Sequence, residues 1–280
     1  MINLLKMNLF YLVKTKALYI TSLLMIVFLI ISGVGDRILH EELNNSPELS
    51  QFVESNVSSS NLTNIGISVS LTQAVSITDS VIQNFTGGIS LLFLLILVVL
   101  FSLSDFTSGF IKCFSGQLSH RHLLVTSKAA VTAIVTLYML LLYTIIQAVI
   151  CKLSYPDLPF GNLVELLKVF LIQYVLHFGT AVIIMALSSI IRSQAASIVT
   201  CILIATNIQS LIYQLINLII SKLAPDSTFN VFSYTLLGNI RTVSASMSDS
   251  DVIRCIVVSL IFTAVGIFTG SLFTERKDII

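Results

Sequence analysis

Ser104-Asp105-Phe106-Thr107-Ser108-Gly109-Phe110-Ile111-Lys112-Cys113-Phe114-Ser115-Gly116-Gln117-Leu118-Ser119-His120-Arg121-His122 interrupts two long apolar runs. One run closes at Leu103 and the other opens at Leu123, and each is long and apolar enough to read as a membrane span. Helix–helix connections in bundles usually take about 2–8 residues, so this break is too long for a tight turn. It gathers basic charge at Lys112 and Arg121 while keeping Phe106, Phe110, Ile111 and Phe114 among its polar residues. Apolar side chains on a connecting elbow suggest a docking surface. The stretch therefore predicts a helical membrane protein whose second and third spans are joined by an elbow that receives another protein.

Composition supports a membrane setting. The chain has 280 residues, 55% of them hydrophobic and 10% charged, with a mean hydropathy of +0.96. Soluble domains carry about 25% charged residues, so this surface needs lipid as its solvent. Six segments qualify as spans, at 17–35, 84–104, 123–151, 163–191, 195–220 and 252–273. Glu165 and Lys168, near the start of the fourth, are spaced to pair at i,i+3.

Placing the N-terminus inside puts Lys6, Lys14, Lys16, Lys112, Arg121, Lys128, Arg192, Arg276 and Lys277 on the cytoplasmic side. Only Asp105, Glu275 and Asp278 oppose them there, as the positive-inside rule requires. Both termini are expected in the cytoplasm of a multi-pass cell-membrane protein, with a tail at 274–280. No cleavable leader is expected, because the first 16 residues are too long and too amphipathic for one. Ile2, Leu5, Leu9, Leu12 and Val13 form a helical stripe, so 1–16 reads as an amphipathic helix in the interface. Segments 36–83 and 221–251 fall outside. The apolar part of the latter, 229–237, is too short to span and suits a short helix or an interfacial dip.

The motifs argue against chemistry within the chain. None of the twelve glycines begins a G-x-x-x-x-G-K-[ST] phosphate loop. Gly87-Gly88 and Gly33/Gly35 sit at span ends, where kinks or close packing account for them. The four cysteines, Cys113, Cys151, Cys201 and Cys255, lack metal-ligand spacing, although Cys151 and Cys255 share the outer side and allow one bridge. His120-Arg121-His122 is split by a cation, which disfavours a metal. His177 lies inside the fourth span with Gln173 and Thr180 in register, a pattern that favours a neutral histidine bonded across helices.

Polar, uncharged residues form a further constellation. Asn207, Ser210, Gln214, Asn217 and Ser221 recur along the fifth span, with Thr136, Tyr143 and Gln147 in similar register on the third. Amides facing lipid are costly, so such a stripe must face protein or water. Two readings follow. The stripe glues helices together, at about 0.6 kcal/mol per bond on average, or with Gln147 and His177 it lines a path for a large, partly apolar cargo.

The whole pattern resembles the permease subunit of an ABC-2 type transporter, the membrane half of a family of bacterial exporters. Asp105, Gly109 and Lys112 match that family's acid-x-x-x-Gly-x-x-Lys run, and His120-Arg121 stands where Ser-Arg is common. The resemblance implies an all-α fold with six transmembrane helices behind an N-terminal interfacial helix. It also implies that 105–122 is a coupling helix, with Asp105, Phe106, Gly109, Phe110, Lys112, Phe114 and Arg121 meeting a cytoplasmic ABC ATPase dimer. ATP and Mg would be bound and hydrolysed in that partner, with no cofactor on this chain. A second permease copy, identical or similar, would complete the assembly. The cargo implied is amphiphilic, a bacteriocin-like peptide or a drug, and nucleic acid is not a partner.

Other classes stay open. An ATP-independent scaffold or immunity protein would bind a toxin through 36–83. A secondary carrier is disfavoured by the absence of acids deep in the spans and of a visible repeat. An intramembrane enzyme lacks a nucleophile–base pair.

Overall fold

The computed structural model describes residues 2–45, 76–107, 122–223 and 230–276. Its elements are α1 (Ile2–Lys14), α2 (Lys16–Asn45), α3 (Ile77–Phe85), α4 (Ile89–Thr107), α5 (His122–Ser154), α6 (Leu163–Ile191), α7 (Gln194–Ala205), α8 (Ser210–Leu223), α9 (Leu236–Thr242) and α10 (Asp249–Arg276). A 3-10 turn at Val231–Tyr234 precedes α9. The described chain is all-helical. Four helices are long and apolar enough to cross a membrane, at Lys16–Ile38, Leu123–Ser154, Leu163–Ile191 and Asp249–Phe273. The number is six if α3 with α4 and α7 with α8 each count as one span. By length and hydropathy this is a multi-pass membrane protein.

Local chemistry sets the helix ends. Ser76 caps α3, its Oγ accepting from the Asp79 amide at 3.2 Å while donating to the Asp79 carboxylate at 2.7 Å. Asn162 caps α6 in the same way, accepting from the Val164 amide and donating to Glu165 at 2.9 Å. These bonds satisfy amides that have no partner within the first turn. Glu165 is thus engaged at its own cap, and Lys168 reaches the first turn of α10 at Asp249, 3.7 Å away, rather than pairing at i,i+3.

The central element is α6. Val169, Gln173, Leu176, His177, Thr180 and Val182 are all buried, and α10 lies along it. Small residues allow that approach: a Cβ on Gly179 would come within 2.7 Å of the Ser259 hydroxyl. Ser259 in turn donates to the Val175 carbonyl at 2.6 Å. Helix α1 is a separate element, broken from α2 at Thr15, and it buries Leu4, Asn8 and Leu12 while Phe10, Tyr11 and Val13 stay exposed. Val13, on the apolar stripe read from the sequence, lies outside the face packed on the bundle, which is centred on i, i+4 and i+8 from Leu4.

Interhelical bonds fix which helix ends lie together. Asn8 bonds Ser127, Ser102 meets Ser189, and Gly270 approaches Val125. The N-terminal helix, the end of α4, the start of α5, the end of α6 and the last turns of α10 therefore share one end of the bundle, here termed the α1 end. The far end carries α3, the 155–162 connection and the 231–248 segment. That segment does not cross. It packs inward as α9, burying Leu236, Asn239 and Ile240. Cys151, Cys201 and Cys255 are free and buried, so Cys151 and Cys255 are not bridged. Cys255 instead donates to Asn239 Oδ1 at 3.4 Å.

Candidate functional site

Two regions carry the residues singled out by the sequence. The first is the elbow between α4 and α5. Asp105 and Phe106 lie in the last turn of α4, whereas Gly109, Phe110, Lys112, Phe114 and Arg121 fall outside the described residues. The structure shows how the two ends flanking the elbow are held. Lys128 Nζ donates to the Ser102 carbonyl at 2.9 Å and sits 5.8 Å from the centroid of the Phe101 ring. Next to it on α5, Ser127 accepts from Asn8 Nδ2 of α1 at 3.0 Å. Adjacent residues of α5 thus tie α4 on one side and α1 on the other.

Lys128, counted in the sequence with the basic residues of the cytoplasmic side, is only 8% exposed and turns into the bundle. The cause is a partner offered across the helix pair, a backbone carbonyl and an aromatic face, both of which attract an ammonium group. Sequence spacing carries no trace of such a partner.

The second region is the expected polar stripe. The helix expected over 195–220 is two helices, α7 and α8, bent by 54°. Asn207 takes a left-handed conformation with φ 57 at the break, a geometry that asparagine tolerates better than most residues. Gln209 Nε2 donates to the Asn207 side chain at 3.2 Å and to the Ile204 carbonyl at 3.3 Å, replacing lost helical bonds. The stripe is therefore divided. Asn207 and Ser210 are buried at the break, whereas Gln214 on α8 is exposed. Asn217 turns to the following segment, donating to Asn230 at 2.8 Å and accepting from the Val231 amide at 2.9 Å.

The second expected span also bends. α3 and α4 meet at 50° through Thr86-Gly87-Gly88, and Gly88 supplies a φ of +84 that a side chain would strain. The two breaks touch. A Cβ on Gly88 would lie 2.9 Å from the Ala205 carbonyl and 3.0 Å from Arg241 Nη2. A side chain from elsewhere bonds a backbone carbonyl at each break. Tyr143 Oη donates to Asn84 at 2.9 Å, and Arg241 Nη2 donates to Ala205 at 2.9 Å. Burial lowers the Arg241 pKa from the usual arginine value, which starts so far above neutrality that the charge persists.

His177 lies beside this crossing. Its Nδ1 donates to the Gln173 carbonyl at 2.8 Å, a partner that can only accept. In the neutral ring Nε2 then accepts from the hydroxyl of Ser90 on α4, at 3.2 Å. Gln173 donates to the Ile240 carbonyl at 2.9 Å, linking α6 to α9, while its own Oε1 is buried without a hydrogen-bond partner. His177 thus lies against the 88–90 turn, while Asn207 and Ser210 follow the Ala205 carbonyl that Gly88 approaches. Gln147 is buried on α5, one turn beyond Tyr143. Ser90 and Arg241 were not singled out by sequence. The only signal for either was position, Ser90 just past a Gly-Gly pair and Arg241 as a lone cation in an apolar stretch.

Among the described residues no three His, Cys, Asp or Glu side chains gather as a metal site would require. In comparison with known proteins, the chain matches no family model and no curated protein.

Proposed function

We propose that this chain is the membrane-spanning permease subunit of an ATP-driven exporter of the ABC-2 type, moving an amphiphilic peptide or drug-like cargo out of the cell. The observation that carries this reading is the pair of ties at the mouth of the 105–122 elbow, Lys128 to Ser102 and Ser127 to Asn8. A push on that elbow reaches α1, α4 and α5 together, which is what a transmission element needs. The motif residues Asp105, Gly109 and Lys112 support the same assignment. Catalysis then belongs to a cytoplasmic ATPase dimer that binds ATP and Mg, and a second permease copy completes the translocation unit. Placement of the α1 end and of α10's last turns at one end of the bundle agrees with both termini in the cytoplasm.

Alternating access follows from the bent spans. With the α3–α4 and α7–α8 breaks in contact at Gly88 and Ala205, a path between them is shut. Tilting α4 from its elbow end would separate them and open the region of Ser90, His177, Asn207 and Ser210 to the far side. The reading is tested by co-purifying the tagged chain with its ATPase, comparing wild type with a Phe110→Asp, Arg121→Glu pair. Loss of the ATPase in the variant is the expected result. Equal recovery from both would leave the elbow a basic loop and favour an ATP-independent scaffold.

A further inference from the structure

We infer that the corner between α1 and α2 is a binding site for one anionic glycerophospholipid. Only Thr15 separates the two helices, and its amide and hydroxyl both donate to the Tyr11 carbonyl, at 3.0 Å and 2.7 Å. A shallow apolar hollow, open on one side, lies between this break and α4. Tyr11, Leu12, Ala17 and Leu18 line one wall, and Leu97 and Phe101 the other. Its apolar walls and open side suit the flank of an acyl chain and not an enclosed cargo molecule.

Charge at the rim selects the headgroup. Lys14 and Lys16 flank Thr15 and are both exposed, and Lys6 lies two turns earlier on α1. No acidic residue occurs before Asp36. The nearest acid along α4 is Asp105, four residues beyond Phe101. Lys14 Nζ already lies 5.7 Å from the centroid of the Phe10 ring, and Phe10 is 68% exposed. A cation above an exposed aromatic at the start of a span is the arrangement of a headgroup-level anchor. A phosphate between Lys14 and Lys16 would place its lipid's chain down the α2–α4 side, into the hollow. The site stands whether or not an ATPase meets the elbow.

The test uses the full chain in detergent, with native mass spectrometry after exchange into equal amounts of phosphatidylglycerol and phosphatidylcholine. Wild type should retain one phosphatidylglycerol in preference. Each basic residue near a membrane surface contributes about fivefold to anionic-lipid affinity, so Lys14→Gln with Lys16→Gln should lower that preference by about 30-fold. Ala17→Leu, which fills the hollow and keeps both lysines, should reduce retention of the lipid. Lys152→Gln with Lys222→Gln, at residues away from the corner, should change neither. Equal retention of the two lipids by wild type, a preference that survives the Lys14/Lys16 pair, or one lost equally in the Lys152/Lys222 pair would overturn the site. So would full retention in Ala17→Leu, or displacement of the lipid by inorganic phosphate alone.

Discussion

Arg241, on the short helix α9, donates through Nη2 to the backbone carbonyl of Ala205, the last residue of α7, over 2.9 Å. The bond crosses the point where two bent spans meet, and Gly88 of the other span leaves room for both partners. A single side chain therefore holds a break in one span against a break in another.

Gly88→Ala should destabilise the fold. The new methyl would strain a positive φ, at about 1–2 kcal/mol, and crowd both Ala205 and Arg241. Thermal unfolding in detergent measures this, and an unchanged Tm would mean the two breaks are not in contact.

Arg241→Ala should loosen the crossing without preventing folding. An unmet buried carbonyl costs about 1–3 kcal/mol, equivalent to about a 5–150-fold shift in a local opening equilibrium. Cys201, fully buried one turn before Ala205, reports that opening once Cys113, Cys151 and Cys255 are replaced by Ser. Its labelling by a small thiol reagent should rise in the variant; identical labelling with Arg241 present and absent would remove the latch.

Lys128→Met separates holding from transmitting. Its partner is a neutral carbonyl, and exchanging a buried ammonium for an apolar side chain of similar length is often neutral for stability. The variant should unfold within about 1 kcal/mol of wild type yet lose stimulation of the partner ATPase by cargo. Full stimulation in a folded Lys128→Met protein would show that the α4–α5 tie transmits nothing.

Ser90 and His177 should couple weakly. Interhelical hydrogen bonds within membranes average about 0.6 kcal/mol, so a double-mutant cycle of Ser90→Ala and His177→Ala on unfolding in mixed micelles should return a value of that order. A coupling indistinguishable from zero would place the hydroxyl and the ring apart.

The apolar runs were legible because lipid imposes a length and forbids charge, and each run contains a helix or a bent pair of helices. The bends were legible only in part. Gly87-Gly88 marks a break by its permissiveness, and its sequence reads as a kink or a point of close packing. Thr206-Asn207-Ile208-Gln209 contains neither Gly nor Pro and continues the polar spacing of a helix, so the stripe read as unbroken. What breaks it is Asn207 adopting φ 57 while Gln209 supplies replacement bonds. Such an exchange depends on side-chain geometry, not on period. The burial of Lys128 was hidden for a related reason: whether a lysine near a span end reaches water or a neighbouring helix depends on what that helix offers, here the carbonyl of Ser102. His177 was easier, since its register with Gln173 and Thr180 already pointed to bonding within the bundle.

The most direct test of the permease reading is a photo-crosslinking amino acid placed at Phe110 in living cells, with the same probe at Phe160 as the control. Phe160 is exposed in the connection at the opposite end of the bundle. The account predicts a Phe110 adduct with a protein that mass spectrometry identifies as carrying a G-x-x-x-x-G-K-[ST] nucleotide loop, and no such adduct from Phe160. A Phe110 probe that captures no such ATPase, or one that captures it no better than Phe160, would contradict it.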